Sequence, residues 1–219
     1  MQRVTLFFGH YGRGKTNLAV NYALRLANSG IKTAIGDIDT VNPYYRTKDS
    51  AELLKKAGVE VIALPYANTN VDLPSIPSEM YGLVQNKALH AVLDIGGDDR
   101  GAYALGRFRE AILAENNFEA LCVLNFCRPL TADAESALGV LREIEAAARM
   151  PITGLVNNTN LGAETVPETV LRGQREAERL SRLTGLPLLF TGAEASIAKK
   201  LTGSIENILP LLLQKRPVD

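Results

Sequence analysis

Residues 9–16 read GHYGRGKT, which satisfies the spacing G-x-x-x-x-G-K-[ST]. The surroundings make this pattern a constraint on the fold. An apolar run, VTLFF at 4–8, closes at Gly9, and residues 15–29 then carry Leu18, Ala19, Tyr22, Ala23 and Leu26 at helical spacing. A strand, a glycine-rich turn and a helix in that order form a nest of inward-turned backbone N–H groups. The helix aims its positive N-terminus at the same point, so the unit is suited to phosphate. Lys15 is placed to bridge terminal phosphates, and Thr16 to put its hydroxyl on Mg²⁺. Gly9, His10, Tyr11, Gly12, Arg13, Gly14 and Asn17 complete the expected cofactor-binding set. His10, Tyr11 and Arg13 are unusual there, because small residues fit such a loop more easily.

The rest of the chain repeats the rhythm that this unit starts. KTAIGDID, VEVIAL, HAVLDIGG, EALCVLNF, ITGLVNN and LPLLFT read as strands, with helical segments between them. Alternation of this kind predicts a three-layer α/β fold: a mostly parallel sheet of about seven strands with helices on both faces. One domain over 1–219 is expected. TVPE at 165–168 reads as a capping box with Thr165 as N-cap and Glu168 reaching back. A C-terminal helix is expected over 204–214. The segment 64–79, with Pro65, Pro74 and Pro77, reads as a long loop. A substrate loop and a proline-stiffened crossover both remain open for it.

Composition excludes several classes. The chain has 24 Lys plus Arg against 24 Asp plus Glu, so no net positive charge argues for nucleic acid. Cys122 and Cys127 do not form a C-x-x-C and lack a nearby His or Cys partner, so they read as structural. ILPLLL at 208–213 is too short to span a bilayer. The polar start MQR leads straight into a strand, so no signal peptide and a cytoplasmic location are expected.

Three further stretches carry chemistry. GDID supplies Asp37 and Asp39 at the end of a strand expected to lie beside the first one. Ligands of open α/β sheets bind at that rim. Two acids there can serve a metal and an attacking water. VLDIGG supplies Asp94 in the D-x-x-G spacing with Gly97, an acid for Mg²⁺ and an amide for a terminal phosphate. In GLVNN, Asn157 and Asn158 end a strand, where an amide can pair with a base edge. An Asn there is also an ordinary turn residue.

Taken in chain order, these stretches resemble the MinD/ParA/CobQ-type P-loop ATPases. That group includes the nitrogenase iron protein and shares a larger class, SIMIBI, with the signal-recognition GTPases. GRGKTNLAVNYALRLANSGIKTAIGDIDTVNP is similar to that family's phosphate loop, first helix, second strand and first switch. VLDIGG is similar to its second switch, VLNFCRPLTADAESALGVLREI to its fifth strand and following helix, and GLVNN to its base-reading strand end. The resemblance runs over residues 2–160. It implies ATP and Mg²⁺ as cofactors, with slow hydrolysis. By position, Lys15 and Thr16 hold phosphate and metal, Asp37 and Asp94 lie at Mg²⁺, Asp39 orients the attacking water, and Asn157 reads the base.

The chain departs from the family where a second lysine crosses a sandwich dimer, because His10 stands there. Histidine is shorter and mostly neutral at pH 7. Arg13 could supply charge in the manner of an arginine finger or simply face solvent. A homodimer is therefore open. The expected activity is an ATP-controlled switch acting on a protein partner. The alternatives are an ATP-dependent small-molecule kinase or ligase using 64–79 for substrate, and a non-enzymatic nucleotide holder. NNTN lacks the Lys and Asp of the guanine signature N-K-x-D, which favours adenine.

Overall fold

The computed structural model describes residues 1–38, 50–63, 78–97 and 99–213. At its centre lies β1 (Val4–Phe8), buried at every position. Its side chains alternate between two cores, as a strand's period of two requires. Val4, Leu6 and Phe8 enter one, and Phe7 enters the other. An all-apolar run of this sort belongs to a strand covered on both faces.

The remaining strands are β2 (Thr33–Asp37), β3 (Glu60–Ala63), β4 (His90–Asp94), β5 (Phe118–Leu124), β6 (Gly154–Asn157), β7 (Leu188–Glu194) and β8 (Ile208–Leu211). They form one eight-stranded sheet in the order β3-β2-β4-β1-β5-β6-β7-β8. Every pairing is parallel. The helices are α1 (Lys15–Asn28), α2 (Ala51–Lys56), α3 (Ser78–Gln85), α4 (Asp99–Glu115), α5 (Ala134–Ala148), α6 (Pro167–Thr184) and α7 (Ala195–Lys200). Leu18, Ala19 and Leu26 of α1 and Leu54 of α2 pack on one face of the sheet. On the other, Met80 and Leu83 of α3, Leu105 and Phe108 of α4, Leu141 of α5 and Leu180 of α6 do the same. This is the expected three-layer α/β arrangement.

Three expectations are corrected. First, β2 does not neighbour β1; β4 lies between them. Asp37 therefore stands in register with Asp94 of β4, and Phe7 of β1 with Asp94 from the other side. Second, the segment expected as a C-terminal helix contains β8. Pro210 would remove a hydrogen bond and clash inside a helix, whereas an edge strand tolerates it. Leu209 and Leu211 point into the core while Pro210 between them is exposed. Just beyond, Asn21 of α1 stands in for a further strand: its Oδ1 accepts from Leu212 N at 2.8 Å and its Nδ2 donates to Leu212 O at 3.1 Å.

Third, TVPE is not a capping box. The N-cap of α6 is Val166, with Pro167 opening the first turn. Thr165 instead accepts from Leu161 N and donates to Gly162 O, closing a local turn. A capping box lies instead at α5, where Asp133 Oδ1 accepts from Ser136 N at 2.8 Å and the Ser136 hydroxyl accepts from Asp133 N at 3.2 Å.

Candidate functional site

The loop between β1 and α1 needs backbone that only glycine adopts cheaply. Gly12 and Gly14 have φ of 75° and 80°. Gly14 is the N-cap of α1, so it offers no side chain to the helix's first N–H groups, and the first turn contains no acid. The positive end of α1 is left open to an outside anion.

Lys15 is 5% exposed and folds back so that Nζ lies 3.4 Å from His10 O, over its own loop. Thr16 Oγ1 donates to Asp94 Oδ2 at 2.5 Å. Asp94 and Asp37 are both buried at the rim. The loop after β4 comes close to the β1–α1 loop at Gly97: a Cβ there would meet Gly9 O at 2.7 Å and Tyr11 N at 2.8 Å. Asn17 sits in the first turn of α1, its Oδ1 accepting from Asn21 Nδ2. Tyr11 is 71% exposed at the loop tip. Asp39, Asp98 and residues 64–77 of the segment 64–79 lie outside the described residues, and its last two residues open α3.

Arg13 neither faces solvent nor reaches toward an outside phosphate. It is buried, and Nη1 donates to Asn125 O at 3.0 Å and to the Thr131 hydroxyl. Burial pulls the guanidinium's pKa below its ordinary value, with nearby Arg128 adding to the effect and Cys122 opposing it. A planar fork of donors suits such a site, because it meets a carbonyl and a hydroxyl with one group. Arg13 thus bolts the phosphate loop to the β5–α5 connection. On the other side, Asn158 Nδ2 donates to Arg13 O at 2.6 Å and also lies where a Cβ on Gly14 would fall.

Asn157 itself is turned inward. Its Oδ1 accepts from Thr159 N at 3.1 Å and from the Thr159 hydroxyl at 2.7 Å. Its Nδ2 approaches Val170 O and Thr191 Oγ1 at 3.5 and 3.4 Å. Asn125 and Thr131 were not expected at the site, and Asn158 was expected with Asn157 as a strand-end amide for a base rather than as a donor to Arg13 O. The doubled Asn at 157–158 was the only available signal, and the second of the pair is the one that grips the loop.

Cys122 is buried, and desolvation pushes its thiol up to about 12, which leaves it unreactive. Cys127 Sγ lies 3.1 Å from Arg172 Nη2.

No protein-family model and no curated protein matches the chain. Solved structures do match. The signal recognition particle receptor FtsY from Elizabethkingia anophelis in complex with GDP is 17% identical, with a TM-score of 0.60 over 88% of this chain and 57% of that one. FtsY from Thermotoga maritima is 16% identical, with a TM-score of 0.63 over 88% and 62%. Chloroplast FtsY from Physcomitrella patens is 19% identical, with a TM-score of 0.58 over 90% and 60%. The fold is a P-loop nucleotide-binding fold. The likeness shows the fold alone and singles out no MinD/ParA branch. The chain spans about three fifths of the length of these structures.

The residues present fit a magnesium nucleotide. Among the described residues no group of three or more His, Cys, Asp and Glu gathers to hold a metal alone. Mg²⁺ is commonly held by one or two carboxylates together with phosphates, which is what Thr16, Asp94 and Asp37 beside an anion nest would provide. No helix among the described residues is long and apolar enough to cross a membrane.

Proposed function

We propose that the chain binds Mg–ATP at the β1–α1 loop, hydrolyses it slowly and uses the nucleotide state to control its affinity for a protein partner. The observation that carries this reading is the bare N-terminus of α1 under a glycine loop, with Lys15 folded over it and Thr16 joined to Asp94. In this assignment Lys15 meets the terminal phosphates. Thr16, Asp37 and Asp94 hold Mg²⁺, and the Gly97 amide senses the terminal phosphate. Asp39 orients the attacking water. The rim at 157–160 forms part of the base pocket; Asn157 shapes it through Thr159, and reads the base directly only if its amide turns outward on binding.

Adenine is favoured by the absence of the guanine-reading Lys and Asp from NNTN, while the GDP in one FtsY structure makes GTP the competitor to test. The motifs ally the chain with the MinD/ParA-type ATPases. A nucleotide-sandwich dimer is not part of the proposal, because His10 occupies the position of the cross-dimer lysine. The deciding experiment is calorimetric titration with Mg–ATPγS and Mg–GTPγS, on the wild type and on Lys15→Ala. Tight ATPγS binding lost in the variant supports the reading; equal affinity in both proteins sinks it. GTPγS binding more tightly than ATPγS would reassign the base. A small-molecule kinase or ligase remains the second reading, favoured by a cavity beside His10.

A further inference from the structure

Against the phosphate loop, on the α5 side of the sheet, lies a cavity of about 260 Å³. Its apolar walls are Phe8, Ile95, Ile144 and Ala148, and its polar groups are His10 and Glu143. His10 Nε2 is buried and makes no hydrogen bond among the described residues; Glu143 Oε2 lies 3.6 Å away, too far for one. A buried polar atom without a partner is uncommon and calls for an explanation. An imidazole nitrogen and a carboxylate oxygen at this separation can converge on one donor, both accepting from it. The same cavity touches Gly9 and Gly97, the two glycines whose backbones meet beneath the loop.

We infer that this cavity is a binding site for a small molecule with an apolar body and a hydroxyl or amine head, the head held between His10 Nε2 and Glu143. An apolar pocket with a few convergent polar groups is the usual form of such sites. Because His10 and Gly97 also wall the phosphate loop, occupancy couples to nucleotide; only this coupling rests on the proposed nucleotide site. Coupling of this kind is reciprocal, so each ligand changes the affinity of the other by the same factor.

The test uses the fact that the chain has only two histidines, His10 and His90. His90 is buried and held by Thr5, so its ring signal serves as an internal reference. Uniformly ¹³C-labelled protein is titrated with benzylamine, benzyl alcohol and toluene while the two imidazole cross-peaks are followed. The expected result is saturable movement of the His10 peak alone, with the amine or alcohol binding about tenfold more tightly than toluene. Ala147→Trp, exposed on α5 where it lines the cavity, should abolish the movement while leaving the His90 peak in place. Glu143→Gln should weaken benzylamine more than toluene. Saturating Mg–ATPγS should change benzylamine affinity severalfold, and indifference to it would overturn the coupling. No His10 response at millimolar probe, equal affinity for toluene, or an undiminished response in Ala147→Trp would each overturn the site. Failure of ATPγS to bind is read separately by calorimetry, and the nucleotide-free titration then decides for or against the cavity by itself.

Discussion

The helices α1 and α5 each start at the carboxyl rim of the sheet after an adjacent parallel strand, yet their first turns are finished in opposite ways. At α5, Asp133 and Ser136 satisfy the helix end with a reciprocal capping box, and Glu135 adds negative charge to the first turn. At α1 the cap is a left-handed glycine and the first turn has no acid. A capped helix end has its exposed N–H groups and its dipole answered from within the chain. An uncapped one keeps both for a ligand. Of these two ends, α1 is the one whose first N–H groups no side chain answers, and this holds independently of the G-x-x-x-x-G-K-T pattern.

The comparison can be broken at the open end first. Lys15→Ala should cost about 100-fold or more in nucleotide affinity, as loss of a charge-assisted contact does, without lowering thermal stability. Calorimetry with a parallel melting curve checks both halves. Gly97→Ala comes next. Its Cβ meets loop backbone rather than a flexible side chain, so the loop must move. About 1–3 kcal/mol of stability should go with it, read from urea midpoints, and nucleotide binding should weaken by an order of magnitude or so.

Asn158→Ala is a smaller disturbance. It leaves the Arg13 carbonyl without its donor, so about 1 kcal/mol of stability and a few-fold in affinity are expected. If affinity drops and stability does not, Asn158 tunes the loop only in the bound state.

The smallest effect belongs to the closed end. Asp133→Ala should lower Tm modestly and leave nucleotide affinity unchanged. Hydrogen bonds from Ser136 hold the Asp133 carboxyl below its ordinary pKa, so its contribution is present above the unfolded-state value. It is lost as pH falls through the folded-state value, and the difference in Tm between wild type and variant should shrink in acid. A difference that persists in acid would mean the cap acts through something other than that carboxylate.

The open end of α1 was legible in the sequence, because a glycine turn between an apolar strand and an amphipathic helix is a local pattern. The order of strands and helices was legible for the same reason. What escaped depends on contacts distant in the chain. Arg13 reads as a surface or catalytic charge until β5 and its loop arrive beside it, 112 residues later. Asn158 finds Arg13 across 145 residues, and no spacing rule points there. The strand at 208–211 has an apolar run that suits a short helix or a strand equally. Its place at the sheet edge, where Pro210 is harmless, is a property of the assembled fold. The interposition of β4 between β1 and β2, which brings Asp37 level with Asp94, is likewise set by topology rather than by local pattern.

The contrast between the two helix ends can be read in one experiment: amide ¹H–¹⁵N spectra of the wild-type protein titrated with Mg–ADP. The account predicts the largest shifts at the N–H groups of Gly12 to Thr16, with smaller ones at Gly97 and none at Ala134 to Ser136. Saturating millimolar nucleotide that leaves Gly12 to Thr16 unmoved, or moves the α5 terminus as much as the α1 terminus, would contradict it.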